Sequence, residues 1–301
     1  MKYRVQIFMS TYNGEKYLRE QIDSILNQEN VNVNILIRDD GSSDNTIEIL
    51  KEYKEKGVLN YYCGENIGYA KSFLHLLSHN VKADYYAFCD QDDVWLSHKL
   101  INAVEKIKRK NIPMLYASSL NRVDESLNFL NKQSFKNLKI TLGAEFTRHR
   151  LAGCTFVFNN KLYEIIKNTY NIKNLNCSHD KLIVILCLIM GGEIFFDNNS
   201  YILFRRYGNN TSIDGKSIFK KILKEKEHFT KYKHNESNLA KCILEYYGKQ
   251  IDKENFELLF RIANYRNNIV DYIRLIFSKE LDCGFWFYNI FIKLIIICRC
   301  F

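Results

Sequence analysis

Apolar residues near the start of the chain fall into short runs separated by segments of helical spacing. Val5 to Met9 forms the first run, and Val33 to Ile37 the second. Between them Tyr17, Leu18, Ile22, Ile25 and Leu26 recur at the three-and-four spacing of a helix face. The alternation continues through a helix marked by Ile47, Leu50 and Tyr53, a strand from Leu59 to Cys63, a helix over Phe73 to Leu77 and a strand from Tyr85 to Cys89. Strands that alternate with helices predict a doubly wound α/β sheet, mostly parallel, with helices on both faces. Ligands of such a sheet gather at the carboxyl ends of its strands.

Further along, Leu100, Val104 and Ile107 predict a helix from about Ser97 to Arg109, and Met114 to Ala117 a strand. Leu120 to Arg150 is polar and poorly periodic, the kind of segment in which specificity loops reside. Strand character returns at Thr155 to Phe158, a helix is expected from Lys181 to about Met190, and two short paired strands around Ile194 to Phe196 and Tyr201 to Phe204. Beyond about Gly215, Lys, Glu, Leu, Ile and aromatic residues at helical spacing predict a helical appendage. The expected division is a domain over residues 1–215 and a helical region over 216–301. The last stretch, Phe285 to Phe301, is strongly apolar but interrupted by Asn289, Lys293 and Arg299. It falls short of the roughly 20 apolar residues of a bilayer span, so it is expected to lie in the membrane interface.

The chain has 301 residues and a formal charge of +9, which favours an anionic partner such as a nucleotide or a phospholipid surface. Nucleic acid is disfavoured, because the lysines are dispersed among acids and no aromatic RNA motif appears. Nine cysteines, an odd number without a CxxC framework, predict a reduced cytoplasmic setting. The amino-terminal stretch reads as a first strand and not as a secretory signal. With a single proline, Pro113, element boundaries must be read from Gly, Asn, Asp and Ser.

Three polar clusters follow predicted strands: Ser10 to Gly14, Asp39 to Asp44, and Asp90-Gln91-Asp92-Asp93. Asp90 and Asp92 lie two apart, and in an extended segment residues so spaced share a face. Paired carboxylates at a sheet edge make a hard-oxygen site for Mg2+ or Mn2+, completed by diphosphate oxygens and water. The plainer reading is a helix cap, though three acids in four positions exceed what a cap needs. Asp39 or Asp40 can accept a pyrimidine ring N–H there, and the Gly-Ser turn behind them lets the backbone approach a nucleoside; the alternative is that the segment is only a turn, with Ser43 or Asp44 capping the next helix.

STYNGEKYL at Ser10 to Leu18, RDDGSSDNT at Arg38 to Thr46, ENIGYAKSF at Glu65 to Phe73 and FCDQDDVWLSHKL at Phe88 to Leu100 together resemble the family 2 inverting glycosyltransferases of GT-A fold. The match in order and spacing covers roughly the first hundred residues, with weaker echoes to about Gly215. The resemblance implies that Thr11, Tyr12 and Asn13 line a nucleoside pocket with Asp39 or Asp40 at the base, and that Asn66 and Gly68 sit beside the nucleotide unless they merely form a turn. It implies that Asp90 and Asp92 are the DxD pair, with Asp92 the more direct metal ligand, Asp90 leaning toward the ribose and Gln91 between them at the nucleotide. Gly153-Cys154-Thr155 resembles the segment under the donor sugar, or else opens a buried strand.

Asp180 stands where the family carries its catalytic base, a carboxylate that takes the proton of an acceptor hydroxyl, and it would also serve as a helix cap. His179 is either a second candidate or a packing neighbour. In the segment Phe204 to Asn210, Arg205 or Arg206 would meet the diphosphate unless they are an ordinary surface pair, while Tyr207 stands where a metal-binding histidine is usual. The activity implied is inverting transfer of a hexose or related sugar from a UDP-sugar or dTDP-sugar to a saccharide hydroxyl, on a lipid-linked acceptor of a surface polysaccharide. Peripheral contact with the inner face of the membrane goes with that reading. The rival readings are a nucleotide-binding or membrane-surface module without catalysis, and a nucleotidyltransferase. The latter is weakened by the lack of a glycine-rich basic phosphate loop.

Overall fold

In the computed structural model, which describes residues 2–108, 110–133, 135–173, 175–207 and 233–301, the predicted alternation becomes one twisted sheet. Strands β1 (Tyr3–Thr11), β2 (Val31–Asp39), β3 (Asn60–Cys63) and β4 (Tyr85–Cys89) are joined by helices α1 (Leu18–Leu26), α2 (Thr46–Glu55) and α3 (Tyr69–Leu77). They pair in parallel in the order β3-β2-β1-β4. β5 (Val94–Trp95), α4 (Lys99–Ile107), β6 (Met114–Val123), β7 (Phe129–Lys132), β8 (Val157–Asn159), α6 (Asn160–Ile166), α7 (His179–Ile189) and β9 (Glu193–Arg205) complete it, α5 (Leu142–Thr147) standing apart. The sheet continues β4-β8-β6-β9-β5, with β8 antiparallel to both its neighbours and β7 paired to β6.

Val5 to Met9 are all buried, as expected of a parallel strand covered on both faces. On one face Val5, Ile7 and Met9 join a core with Leu18, Ile22 and Ile25 of α1, Leu50 of α2 and Leu100 and Val104 of α4. Burying each such side chain contributes about 1.5–3 kcal/mol. The other face is aromatic. Tyr86 stacks on Tyr163 at 4.0 Å between ring centres, with Phe8 and Phe158 alongside. The outward-pointing loops at the carboxyl edge are thereby carried on a rigid base.

Two local expectations are corrected. The two short strands foreseen around Ile194 and Tyr201 are halves of one 13-residue strand, β9. Asp197 to Ser200 looks like a turn in sequence, but register shifts against β6 absorb these residues, and Asp197 accepts the Asn199 N–H at 2.8 Å. Strand β8 starts at Val157, because Gly153–Thr155 is a 3-10 turn.

By internal contacts the chain divides into two units. The first is Met1–Phe135, Leu151–Asn171 and Ser178–Tyr207. The second gathers Lys136–Arg150, Ile172–Cys177 and Gly208–Phe301. In the second unit lie α5, α8 (Asn235–Tyr247), α9 (Lys253–Asn264), α10 (Ile269–Ile276) and α11 (Trp286–Ile297). Gly208, Asn209, Asn210 and the expected boundary near Gly215 lie outside the described residues.

Candidate active site

The loops after β1 and β2 are stitched to each other by their own polar side chains. Asp40 N–H donates to the Thr11 carbonyl (2.8 Å), Asn13 N–H to Ser42 Oγ (2.9 Å) and Ser43 N–H to Asn13 Oδ1 (2.8 Å). Asp39 is the hub. One of its oxygens accepts the Gly41 and Ser42 N–H groups, the other the hydroxyls of Thr11 (2.8 Å) and Ser42 (2.6 Å). Asp40 is equally committed: it pairs with the buried Arg38 and accepts the N–H groups of Ile67 (3.1 Å) and Gly68 (2.8 Å). Both carboxylates thus shape the loops that would hold a nucleoside. Asn66 and Gly68 form the turn clamped by Asp40, Asn66 Oδ1 accepting the Gly68 N–H at 3.1 Å and Gly68 adopting φ +80°.

Gln91 ties the acidic loop to the first one. Its Oε1 accepts the Tyr12 N–H (2.9 Å), and its Nε2 donates to the Tyr12 carbonyl (3.1 Å). A Cβ on Gly14 would stand 2.4 Å from Gln91 Oε1, so any larger residue there must displace the Gln91 side chain from Tyr12.

The segment Asp90 to Asp93 bends instead of continuing β4, so the period-two argument for a shared face of Asp90 and Asp92 does not hold. The bend directs Asp90 toward Asp93 and Cys154, the three ligand atoms lying within 4.8 Å of one another. Asp92 instead accepts a hydrogen bond from Tyr207 Oη at 2.6 Å. Burial pushes the Asp90 carboxyl up to about 7, helped by the negative charges of Asp92 and Asp180. Asp93 lies well above the usual carboxylate range, again from burial first and its acidic neighbours second. One oxygen of Asp93 accepts the Arg205 backbone N–H (3.1 Å), while the other is buried with no hydrogen-bond partner among the described residues.

Crowded carboxylates with an unsatisfied buried oxygen fit a hard divalent cation, which would neutralise them. Cys154 is a poor ligand for Mg2+ or Mn2+, since burial raises its thiol well above its ordinary value and keeps it protonated. Neither Asp93 nor Cys154 was singled out as a ligand from sequence. Asp93 was visible in the acidic run, whereas Cys154 is brought in from a turn some sixty residues away.

Lys99 was missed as well. It is buried, its Nζ 3.5 Å from the centre of the Trp95 ring, and desolvation pulls it down to about 8. A lysine in an otherwise amphipathic helix gives no sign of that position.

Asp180 sits in the first turn of α7, whose N-cap is Ser178. A Cβ on Gly153 would lie 3.2 Å from Asp180 Cβ and 2.8 Å from His179 Nε2, so this glycine lets the 3-10 turn abut the helix start. His179 is buried, stacked on Phe73 at 4.2 Å and edge-on to Phe88 at 5.1 Å, which is the packing role.

Arg205 is buried and does not stand at the surface. Only 2% exposed, it lies over the Tyr17 ring (4.2 Å), donates to the Asp92 carbonyl (3.0 Å) and the Glu125 carbonyl, and pairs with Glu20 at 2.5 Å. Its guanidinium is spent holding the acidic loop from behind. Arg206 is half-buried, its N–H donating to the Val123 carbonyl at 2.8 Å.

Comparison with known proteins places the chain in a family. Residues 6–170 match the family described as Glycosyl transferase family 2. Over 229 residues the chain is 30% identical to the dTDP-rhamnosyl transferase RfbG of Shigella flexneri, covering 71% of this chain and 78% of that one. It is 32% identical over 119 residues to the UDP-Glc:alpha-D-GlcNAc-diphosphoundecaprenol beta-1,3-glucosyltransferase WfgD of Escherichia coli, covering 38% of this chain and 46% of that one. Among solved structures, S. aureus TarS 1-349 superposes with a TM-score of 0.58 at 16% identity, over 93% of this chain and 76% of the other. At that identity the likeness is one of fold.

Proposed function

The chain belongs to glycosyl transferase family 2, and from that footing we propose that it transfers a sugar with inversion from a UDP-sugar or dTDP-sugar to a saccharide hydroxyl. The acceptor we favour is lipid-linked and part of a surface polysaccharide; the diphosphoundecaprenol acceptor in the name of WfgD supports the lipid link, and the dTDP-rhamnosyl donor in the name of RfbG and the UDP-Glc donor of WfgD support the choice of donors. What supports the reading is that Asp180, in the first turn of α7, abuts the turn at Gly153, whose neighbour Cys154 lies with Asp90 and Asp93, and that its charge helps raise the Asp90 carboxyl. Elements some ninety residues apart in sequence supply the acids that a transfer needs on either side of a sugar.

Asp90 and Asp92, with Asp93 behind them, would hold Mn2+ or Mg2+, which when bound supplies Lewis-acid stabilisation of the departing diphosphate. Thr11, Tyr12 and Asn13, kept in place by Asp39 and Gln91, would wall the nucleoside pocket. Asp40, Asn66 and Gly68 would support its edge, and Arg206 is the arginine proposed to meet phosphate. Asp180 would accept the proton of the acceptor hydroxyl as its oxygen attacks the anomeric carbon, so one displacement inverts configuration without a protein nucleophile. The irregular stretch between Leu120 and Arg150 is proposed to select the acceptor.

Screening nucleotide sugars for release of the nucleoside diphosphate, with Mn2+ and then with chelator, tests this. Turnover of at least one donor that vanishes on chelation is expected, together with its loss in Asp92→Ala. A chain that binds nucleotide but hydrolyses or transfers no donor would be a binding module instead.

A further inference from the structure

α10 and α11 present large apolar side chains to solvent. On α11, Trp286 (74% exposed), Ile290, Leu294 and Ile297 follow one another at four, four and three residues, a single stripe along the helix. On α10, Ile269, Val270 and Ile273 are exposed, and Phe277 just beyond it is 76% exposed. The two helices pack on each other: Tyr272 Oη donates to the Ile297 carbonyl at 3.3 Å, and the Arg299 guanidinium lies 5.2 Å from the Tyr272 ring centre. An apolar face of this size is not the scatter of single hydrophobes found on ordinary surfaces.

The charges that accompany it have one sign. Arg274, Lys279 and Arg299 are exposed and Lys293 is half-buried. The acids nearby are withdrawn: Asp271 is buried, Glu280 is paired with Arg261 at 2.8 Å, and Asp282 is paired with Lys139. Aromatic residues crowd the start of α11, where Phe285, Trp286, Phe287 and Tyr288 are consecutive. The exposed Trp286 and the half-buried Tyr272 and Tyr288 beside cations are the composition of a membrane–water boundary. A second copy of the chain would have to bring like charge against like charge.

We propose that α10 and α11 together form a docking face for a bilayer surface rich in anionic phospholipid, with the apolar stripes entering the head-group boundary and Arg274, Lys279, Lys293 and Arg299 meeting lipid phosphates. The face lies on the bilayer and does not cross it. α11 is 12 residues long, about 18 Å, against a hydrocarbon core of about 30 Å. Among the described residues no helix is long and apolar enough to span. The proposal is independent of sugar transfer, because lipid contact needs no donor, and its test reads no turnover.

The chain has two tryptophans. Trp95 is 3% exposed, which makes Trp286 the responsive one. Purified full-length protein is mixed with vesicles of phosphatidylcholine alone or with phosphatidylglycerol, and tryptophan emission and co-sedimentation are followed. The expected result is a blue shift and sedimentation with the anionic vesicles, weaker by about fivefold for each cation neutralised. The variant Ile273→Asn, Phe277→Ser, Ile290→Asn, Leu294→Ser keeps Trp286 and alters only exposed positions. Its binding should fall at least tenfold, with circular dichroism unchanged. Absence of binding by the parent chain overturns the proposal. So does equal binding by a folded variant, or a salt-resistant dimer in which Trp286 is already blue-shifted without lipid.

Discussion

Replacing Asp180 by Asn removes the proposed base while disturbing little else, for reasons the local structure supplies. Asp180 Oδ1 accepts the Lys181 N–H at 2.8 Å, and an amide oxygen can accept the same bond. Ser178, not Asp180, stands at the N-cap. Asn has the same shape as Asp and keeps the Cβ that the turn at Gly153 abuts. The helix start should therefore survive, with a stability change within about 1 kcal/mol. A positioned general base contributes about 10²–10⁴-fold, which is about 2.7–5.5 kcal/mol of barrier. The assay is saccharide transfer with the donor identified by the hydrolysis screen, run beside nucleotide binding by calorimetry and thermal melting. Transfer by Asp180→Asn should fall by at least a hundredfold, with nucleotide affinity within about threefold of the parent and the melting temperature little changed. If the folded variant transferred sugar within tenfold of the parent, Asp180 would not be the base. If instead nucleotide affinity collapsed with the rate, its role would lie in donor binding.

Gly14→Ala should weaken donor binding, since the new methyl must displace the Gln91 side chain that holds the Tyr12 backbone; a higher KM with kcat preserved is expected, and an unchanged KM would show that this clamp is irrelevant to the nucleotide. Arg205→Met should lower the melting temperature by an amount corresponding to about 2–4 kcal/mol, because two backbone carbonyls lose their buried donor; a rise in donor KM with no loss of stability would restore Arg205 to the diphosphate. Lys99 is pulled by burial from its ordinary 10.5 to about 8. Below pH 8 it is charged in both folded and unfolded chains, and the cost of burying the charge is fully present, about 3 kcal/mol. Between pH 8 and 10.5 the folded chain gives up this proton first, the unfolded chain binds more protons, and stability rises. Lys99→Met should be the more stable at pH 7, and the gap should close by pH 10.5; parallel pH profiles of denaturant unfolding for the two chains would refute it.

Much of the fold was legible because hydrophobic spacing is itself the record of which faces are buried. The run from Val5 to Met9 and the stripe of Leu18, Ile22 and Ile25 become β1 and α1 as their periods require. Polar clusters at strand ends pointed to the carboxyl edge for the same reason, since side chains not needed for the core are free for chemistry. Where a polar tetrad such as Asp197 to Ser200 is absorbed by a register shift, spacing misleads, because the compensation lies in the partner strand.

What sequence alone determined here is the α/β alternation, the acidic run at Asp90 to Asp93 and the residue types set at each strand end. What only the tertiary structure decided is which of those groups face one another. Arg205 goes beneath the acidic loop, Cys154 and Asp93 join Asp90, Tyr207 takes Asp92, and the exposed face of α10 joins that of α11. Local periodicity reports whether a side chain is buried. Its partner is chosen by long-range pairing of strands and helices, and that choice sets the local dielectric and the neighbouring charges on which the chemistry rests.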